Sequence, residues 1–414
     1  MNHVRCIRLA PSALLLALLL SGPAQATNGY FSHGYGIKAV GMAGAGIALP
    51  QDGMASATNP AGIAFVGNRA DIGLLWFQPK RDARVRGNAF GLDGNFSGNG
   101  KQNFHLPEIG YVRQLGPEWA ASLAIYGHGG MNTDYRRNPW AGLGASGSAG
   151  VSLEQLFISP ALAYKPGDRH AFGLALNFAH QRFKAKGVQP FAASSATGDR
   201  FSNRGSDSAN GWGVRLGYTG EISPGLTLGL SYASKTRMSK FDRYRGLFAD
   251  QGRFDIPASY GLGLAWQARP SLTLAADVQR IEYSKVNAVG NSLLARPFGS
   301  SNGPGFGWRD VTVFKLGISH AFDDTLTLRA GYSHASQPIR SSEVMLNILA
   351  PGVIQEHFSV GASWKLGPQG ELSLAYTHAL RASVSGELPA QFGGGKTRLR
   401  MYQNSLGVAY SWKY

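Results

Sequence analysis

Large apolar residues alternate with small or polar residues in several segments of the chain. The alternation is clearest in residues 226–233, 326–333, 372–377 and 405–414. In the first of these segments, leucines and a tyrosine occupy the even positions, and Thr, Gly, Ser and Ala occupy the odd ones. A period of two with one large apolar face predicts β-strands that meet lipid on one side and a lumen on the other. Soluble β-sandwiches also alternate, but their strands are usually shorter.

The links between the alternating segments are of two kinds. Short, turn-rich links lie near residues 116–117, 166–168, 223–225, 269–270, 323–324 and 367–368. Long polar loops cover residues 80–101, 130–150, 187–209, 238–255, 287–308, 338–355 and 385–397. This arrangement joins fourteen strands and places both chain ends on the side of the short links. Because an open sheet edge is unstable in hydrocarbon, the sequence predicts an all-β fold, a closed transmembrane antiparallel β-barrel over residues 68–414.

Residues 1–26 are typical of a secretory signal peptide. Arg5 and Arg8 form a basic start, Leu14–Leu20 is an apolar core, and a small-residue site predicts cleavage after Ala26. The single cysteine, Cys6, lies within this segment. The mature chain is therefore expected to contain no cysteine, which excludes disulfides, thiolate catalysis and cysteine metal sites.

The two ends of the mature chain carry different signals. At the carboxyl end, Tyr410, Trp412 and Tyr414 place aromatic side chains at every second position, a pattern typical of the signal that outer-membrane assembly machinery reads. At the amino end, residues 27–67 precede the first strand and are rich in Gly and Ala. We expect this segment to fold back into the lumen as a hatch. The alternative is a disordered periplasmic tail, against which the apolar content argues.

Composition and charge narrow the class of protein. Only 15% of the residues are charged, against ~25% in an ordinary soluble domain. The net charge is +16. Since the chain is predicted to be exported, nucleic acid is not an expected partner. The basic residues of the long loops are instead expected to face the phosphates of lipopolysaccharide.

Five stretches carry a resemblance to a known family: Asn28–Phe31, Gly34–Ala45, Asn59-Pro60-Ala61, Gly307–Asp310 and Leu328–Tyr332. They resemble the FadL/TodX family of outer-membrane transporters. The resemblance implies a fourteen-stranded barrel with an N-terminal hatch, to which Asn59, Pro60 and Ala61 belong. It also implies a monomer that takes up long-chain fatty acids or, in some branches, aromatic hydrocarbons. Both chain ends would be periplasmic.

The family is thought to pass its substrate sideways, through a gap beside a kinked third strand. In this sequence the third strand is predicted to run from about Trp119 to Gly127. Gly127, Gly129 and Gly130 weaken its end, and glycine permits a bulge or kink there. These three residues are the candidates for a lateral gate. The alternative is that they simply begin a long loop.

A fatty acid carries a carboxylate, which basic side chains bind with charge-assisted hydrogen bonds. Four residues are candidates for this head-group contact: Arg309, Arg329, Arg182 and Lys184. Arg329 falls on the small, polar face of its strand and is expected to point into the lumen. For each residue, the alternative is a charge that faces solvent or lipopolysaccharide, and Arg329 has the further alternative of pairing with an acid such as Asp277.

Motifs for chemistry are weak in this chain. Gly34-x-Gly36-x-x-Ala39 has the letters of a dinucleotide fingerprint but lacks the βαβ context. The segment Gly299–Gly303 has the letters of a nucleophile elbow but lies in a predicted long loop. No histidine spacing suggests zinc. We expect no enzyme, cofactor or bound metal.

The sequence therefore predicts an outer-membrane transporter for hydrophobic compounds, with long-chain fatty acid uptake by passive diffusion and lateral release as the first hypothesis. Within the same class, the alternatives are an aromatic-hydrocarbon channel and an exporter of oxidised fatty acids. From a different class, the alternative is a structural or adhesive barrel whose loops bind other surfaces. A plug argues against a general porin.

Overall fold

The computed structural model describes residues 28–294 and 296–414. The predicted signal peptide lies outside the described residues. In the described part of the chain, no helix has both the length and the hydropathy needed to cross a membrane. The strands are β1 (Arg69–Arg86), β2 (Gly94–Ser97), β3 (Phe104–Gln114), β4 (Trp119–Asn132), β5 (Gly150–Tyr164), β6 (His170–Lys186), β7 (Asp207–Ser223), β8 (Leu226–Ala233), β9 (Arg237–Met238), β10 (Ser259–Arg269), β11 (Leu272–Ile281), β12 (Val311–Ala321), β13 (Leu326–Ala335), β14 (Glu356–Leu366), β15 (Gly370–Glu387) and β16 (Lys396–Lys413).

Of these strands, fourteen form one closed antiparallel barrel, which confirms the predicted fold. Neighbours in sequence are neighbours in the sheet, and β16 pairs with β1 from Arg69–Lys413 to Arg86–Lys396 to close the ring. The short strands β2 and β9 lie outside the ring, paired with β1 and β7. Closure leaves no edge strand with unpaired backbone groups in the hydrocarbon layer.

The alternation of the sequence becomes an inner and an outer face of the barrel. On β6, Phe172, Leu174, Leu176 and Phe178 are exposed on the outside, while Ala171, Ala175 and Ala179 are buried inside. Other strands repeat this arrangement, so that exposed apolar side chains form a belt around the barrel. Such a belt is the surface that a transmembrane barrel presents to lipid.

The six predicted short links are the connections at one end of the barrel, which we call the short-turn end. The opposite end is the long-loop end. There the predicted loop boundaries were wrong, because β1 extends to Arg86, β15 extends to Glu387, and β16 begins at Lys396. These extensions pair with one another beyond the apolar belt. There the apolar side chains, such as Val85 and Leu399, are buried inside, and the outward positions carry charged or polar residues such as Arg84. The large outward apolar residues that mark the other strands are therefore missing.

Residues 28–67, which we call the N-terminal segment, lie inside the ring of strands. The segment contains short helices at Ile37–Val40 and Ala55–Thr58 and a 3-10 helix at Pro60–Phe65. Most of its side chains are buried. The loops carry short helices at Ala249–Gly252 and Asn287–Gly290, and 3-10 turns at Ala141–Leu143, Gln189–Ser194, Gly198–Arg200, Asp242–Tyr244, Tyr283–Lys285, Ser341–Glu343, Leu346–Ile348 and Ala390–Phe392.

Asn59 joins the N-terminal segment to the barrel wall. Its side-chain amide donates hydrogen bonds to the carbonyl oxygens of Ile47 and Tyr218, both at 2.8 Å, and to the hydroxyl of Thr219 at 2.9 Å. Its side-chain oxygen accepts from the backbone N–H of Ala61 at 3.2 Å and so caps the 3-10 helix. One buried amide thus satisfies groups from the segment and from β7.

We expect Asn59→Ala to loosen the N-terminal segment. Loss of the amide leaves several buried polar groups without a partner, at a cost of about 1–3 kcal/mol. The measurement is the rate of protease cleavage within residues 28–67 in lipid nanodiscs, which should rise about 5- to 150-fold. Asn404→Ala is the control, because Asn404 accepts hydrogen bonds from Tyr376 and His378 away from the segment. Equal cleavage of both variants and the parent would contradict this role.

Candidate functional site

The barrel wall has a gap between β3 and β4. Their hydrogen-bonded ladder runs from Gln114–Ala120 to Glu108–Tyr126 and stops there. Toward the long-loop end, β3 continues to Phe104 against β1, and β4 continues to Asn132 against β5. Residues 104–107 and 127–132 therefore face each other without ladder pairing, and we call this opening the β3–β4 gap.

A bulge in β4 forms one edge of the gap. The register with β5 shifts between Gly127 and Gly129, which leaves His128 as the extra residue. Its ring turns inward and stacks on Phe157, with ring centroids 4.2 Å apart and an interplanar angle of 4°. The hydroxyl of Tyr35 lies 2.8 Å from its Nδ1. An extra residue of this kind disrupts the ladder locally and bends its strand.

The N-terminal segment lines the gap from inside. The N–H of Gly130 donates to the carbonyl of Tyr30 at 2.9 Å, and the N–H of Ser32 donates to the carbonyl of His128 at 3.0 Å. A Cβ atom on Gly129 would lie only 2.2 Å from the Tyr30 carbonyl oxygen. Glycine is therefore needed there so that the segment can pair with β4.

Loops close the gap on the long-loop side. Asp134 donates its N–H to the carbonyl of Gly98 at 3.0 Å and accepts from the N–H of Gly100 at 2.9 Å. The buried guanidinium of Arg81 donates to the Asn132 carbonyl at 2.7 Å. The gap is thus a bounded window in the wall. It lies at the loop-side edge of the apolar belt, where the exposed Leu74 of β1 is paired with Pro107 of β3.

Three carboxylates of the wall hold the backbone of the N-terminal segment. Glu108 accepts from the N–H groups of Gly36 and Ile37 at 3.1 and 3.0 Å. Asp71 accepts from the N–H of Gly53 at 2.8 Å. Asp277 accepts from Gly46 and Ile47 at 2.8 and 3.1 Å. These side chains satisfy N–H groups that would otherwise be buried without a partner, so they fix the path of a segment with little regular structure.

A second group of charges joins the segment to the wall. Lys38 forms an ion pair with Glu371 of β15. Arg69 of β1 pairs with Asp71 of the same strand at 2.7 Å and donates to the carbonyl of Gln51 in the segment at 3.3 Å. Burial, reinforced by nearby Asp71, raises the pKa of Asp52 to about 6. These contacts tie the segment to β1 and β15, on either side of the closing strand β16.

A narrow apolar cavity, the loop cavity, lies among the long loops. Residues that line it include Phe191, Phe201, Phe248, Phe298, Phe306 and Leu346. None of its lining residues carries a charge. The cavity has a volume of about 30 Å³, so an aromatic molecule enters it only if the lining side chains move apart. An uncharged lining of this kind favours an apolar occupant over a polar one.

Aromatic rings connect the loop cavity with the gap. Phe248 contacts Phe254 with centroids 5.0 Å apart, and Phe254 contacts Tyr30 at 5.9 Å. Tyr30 then contacts Phe31 at 5.5 Å, and Phe31 contacts His128 of the bulge at 4.4 Å. Trp308 also bridges Phe306 and Tyr30, at 6.3 and 5.9 Å. The series of rings ends at the opening in the wall.

A second cavity, the basic cavity, adjoins the same aromatic residues. It is lined by Phe31 and His128 and by two buried cations, Arg215 of β7 and Lys315 of β12. Lys315 donates to the carbonyls of His33 and Gly44, both at 3.2 Å. The Nε of Arg215 is buried and has no hydrogen-bond partner in the described residues. Arg215 was not among the residues predicted from the sequence. Its chain neighbours Val214 and Leu216 are apolar and face outward, which places Arg215 on the inner face of β7.

The four predicted head-group residues do not come together. Arg329 faces the lumen, but its guanidinium donates to Gln51 at 2.8 Å and to Ser363 at 2.7 Å. Arg309 is exposed and donates to the carbonyl of Gln337 at 3.4 Å. Arg182 and Lys184 lie on the outer face of β6 and share a surface groove. None of the four lines the loop cavity or the basic cavity.

The other predicted site residues fall in three places. Gly127, Gly129 and Gly130 lie together at the β4 bulge. Asn59, Pro60 and Ala61 lie where the N-terminal segment meets β6 and β7. The terminal aromatics Tyr410, Trp412 and Tyr414 are 45%, 40% and 38% exposed near the short-turn end. Their reading by assembly machinery stays a prediction. No group of three or more metal-ligating side chains occurs in residues 28–294 and 296–414.

A closed barrel with an apolar belt, a filled lumen and an opening in its wall defines a class of outer-membrane transport protein. Residues 17–411 match the family model described as outer membrane protein transport protein (OMPP1/FadL/TodX). The chain belongs to this family, which confirms the resemblance seen in the sequence.

Solved structures show the same fold. A Pseudomonas aeruginosa FadL homologue is 17% identical, with a TM-score of 0.69 over 93% of this chain and 99% of that one. The P. putida toluene transporter TodX is 20% identical, with a TM-score of 0.66 over 92% and 99%. The Ralstonia pickettii toluene transporter TbuX is 18% identical, with a TM-score of 0.63 over the same shares. A search of curated proteins finds no significant match.

We expect Gly129→Ala to separate Tyr30 from β4, because the new Cβ atom would overlap the Tyr30 carbonyl. The measurement is the rate at which a thiol reagent labels a cysteine introduced by Phe31→Cys. If Gly129→Ala lowers the free energy needed to separate the segment from β4 by ~1.4 kcal/mol, this rate should rise about tenfold. Gly46→Ala is the matched control, since a Cβ atom there would meet its neighbours at an ordinary 3.7 Å. Unchanged labelling in both variants would show that the segment does not depend on this contact.

Proposed function

We propose that this protein is a passive channel for hydrophobic compounds across the bacterial outer membrane. In this proposal the long loops face the exterior and both chain ends are periplasmic. The substrate enters the loop cavity, follows the aromatic rings and leaves sideways through the β3–β4 gap into the membrane. No catalytic chemistry is required, because partition into apolar surroundings favours movement out of water.

The single observation that carries the proposal is the series of aromatic contacts from the loop cavity to the gap. Phe248, Phe254, Tyr30, Phe31 and His128 are in successive contact. Aromatic surfaces give an apolar molecule contact along the whole route, so it need not enter water. A water-filled pore would lack this property.

The N-terminal segment acts as the plug in this proposal. It blocks the direct route along the barrel axis and lies against the inner side of the gap through Tyr30 and Ser32. Polar solutes are excluded by the filled lumen. A hydrophobic substrate needs only local movement at the bulge, where Leu106 packs beside Gly127 across the gap.

Among the candidate substrates, the loop cavity favours small uncharged molecules such as monoaromatic hydrocarbons. It has no charged lining residue, and all four predicted head-group residues lie elsewhere. Family membership by itself leaves the substrate open, because the solved relatives include a FadL homologue and toluene transporters.

Long-chain fatty acid uptake is the second candidate, and the basic cavity favours it. Arg215 and Lys315 place two buried cations beside Phe31, where the aromatic series reaches the gap. A carboxylate there would meet the unpartnered Nε of Arg215. The acyl chain would then extend along the rings toward the loop cavity.

A disulfide across the gap tests the lateral route. The Cβ atom built on Gly127 lies 3.9 Å from the Cβ of Leu106, within the range that a disulfide requires. We expect oxidised Leu106→Cys/Gly127→Cys protein to lose most of its uptake of radiolabelled toluene into proteoliposomes, and reduction to restore it. The predicted absence of other cysteines from the mature chain makes the bond unambiguous.

The control pair is Ile109→Cys/Ile125→Cys, opposite each other in the intact ladder next to the gap. Oxidation of this pair should leave uptake unchanged. Full uptake by the oxidised gap variant would reject lateral release. Absence of uptake by the parent, with either toluene or oleate, would favour the adhesive alternative.

Binding separates the two substrate classes. Trp308 is buried and adjoins Phe306 of the loop cavity, so its fluorescence should respond as ligand is titrated into nanodiscs. If the channel carries an uncharged substrate, toluene should bind, and Arg215→Gln should change the toluene affinity by no more than about twofold. If the channel carries a fatty acid, oleate should bind, and Arg215→Gln should weaken oleate binding about tenfold, because one charge-assisted hydrogen bond is lost.

The lipid-facing Arg280→Gln serves as the charge control, because its guanidinium pairs with Asp310 outside both cavities. An equal effect of both arginine changes on oleate would reject a head-group role for Arg215. If oleate binds saturably and Arg215→Gln does not change its affinity, the carboxylate binds at another place.

A further inference from the structure

A charged groove lies on the outer surface of the barrel, beside the β3–β4 gap. Its basic residues are Lys101, Arg182, Lys184 and Lys186, and its acidic residues are Asp134 and Glu154. The groove has a net charge of +2, from four cations and two carboxylates. We refer to these residues as the cationic groove.

The ion pairs of the groove leave three cations available. Lys186 is paired with Asp134 at 2.8 Å. For Lys101, Arg182 and Lys184, no carboxylate lies within 4.0 Å among residues 28–294 and 296–414. Within the described part of the chain, Arg182 donates one long hydrogen bond, to the hydroxyl of Ser206 at 3.4 Å. Glu154 lies opposite Arg182 in the β5–β6 ladder and attracts both Arg182 and Lys101, although it forms no ion pair with either of them within 4.0 Å. The cations of the groove still outnumber its carboxylates, and such an excess favours an anionic ligand.

The position of the groove points to a lipid. On β6, the exposed Phe178 ends the apolar belt, opposite Ile158 of β5 and Trp212 of β7. Arg182 follows four residues later on the same outer face, about 13 Å farther along the strand. An anionic head group above apolar chains matches this order of surfaces.

We propose that the cationic groove binds the phosphorylated head group of lipopolysaccharide, while its acyl chains lie on the belt formed by β5, β6 and β7. The inference rests on the orientation in the proposed function, with the long loops outside. Lipopolysaccharide phosphates are the dense anions at this level of the outer leaflet. A fatty acid would supply one carboxylate and one chain, and would leave most of the groove unoccupied.

The site would place a lipopolysaccharide molecule next to the gap. Glu154 of the groove pairs in the β-ladder with Gly130, and Ser152 pairs with Asn132. Both partners belong to the edge of the gap. A lipid fixed there would border the lateral route and would keep the loop-side edge of the opening ordered.

The test is native mass spectrometry and fluorescence binding with the mature protein in nanodiscs, using bisphosphorylated lipid A as the probe. Lipid A without phosphates and phosphatidylethanolamine are the comparison lipids. We expect bisphosphorylated lipid A to bind saturably, and Arg182→Glu/Lys184→Glu to weaken it at least about tenfold.

Lys396→Glu/Arg398→Glu is the matched control. It reverses one Lys and one Arg two residues apart, on the outer face of β16 at the same end of the barrel. Its effect should stay within about twofold. If both variants lose the same amount of affinity for bisphosphorylated lipid A, binding depends on the overall charge of the loops and not on this groove, which would overturn the proposal. So would displacement of lipid A by oleate, or equal binding of lipid A without phosphates.

Orientation is checked separately by labelling Lys184→Cys on whole cells with a membrane-impermeant thiol reagent. Labelling supports an external groove, and protection from labelling overturns it. Toluene uptake by the parent protein distinguishes the two proposals, because a parent that takes up toluene but does not bind bisphosphorylated lipid A rejects the groove alone. Loss of uptake in the parent protein rejects the channel and leaves the lipid result standing.

Discussion

The structure depends on hydrogen bonds between the backbone of the N-terminal segment and carboxylates of the barrel wall. Glu108, Asp71 and Asp277 accept N–H groups from the segment at three separate places. A segment with two one-turn helices leaves many backbone donors without partners, and a buried donor without a partner is costly. The wall supplies those partners, so a Gly- and Ala-rich sequence takes one fixed path through the lumen. Two cations add further contacts between the segment and the wall. Lys38 of the segment pairs with Glu371, and Lys315 of the wall donates to the carbonyl of His33.

That fixed path explains the opening in the wall. The ladder between β3 and β4 stops at Glu108, the same residue that holds Gly36 and Ile37. Beyond it, Tyr30 and Ser32 take the hydrogen bonds of β4 that β3 would otherwise have taken. A closed barrel cannot leave backbone groups unpaired against lipid. The N-terminal segment therefore makes a gap possible by satisfying one of its edges, and the proposed lateral route and proposed plug are two consequences of one arrangement.

The sequence predicted the barrel because its signals are local. Alternation marks each strand inside the apolar belt, and Gly, Pro and Asp mark the short turns, so fourteen strands followed from counting. The extensions of β1, β15 and β16 were missed because their outward positions carry charged or polar residues in place of the large apolar side chains that mark a strand within the belt. The candidate site, by contrast, is formed by residues that are far apart in the sequence and meet only in the folded barrel. Arg329 points inward as expected, but its partners Gln51 and Ser363 come from other parts of the chain. Arg215 was overlooked for the same reason, and pairing with residues such as Thr58 appears only in three dimensions.

The central claim is that a hydrophobic molecule travels from the loop cavity, past Tyr30 and Phe31, to the β3–β4 gap, without crossing the lumen to the short-turn end. The most direct test is a crystal structure of the protein soaked with bromotoluene, with bromine located by anomalous scattering. The account predicts bromine in the loop cavity beside Phe306 and in the gap beside Leu106. Bromine between the N-terminal segment and the short-turn end of the lumen, with none at the gap, would contradict it.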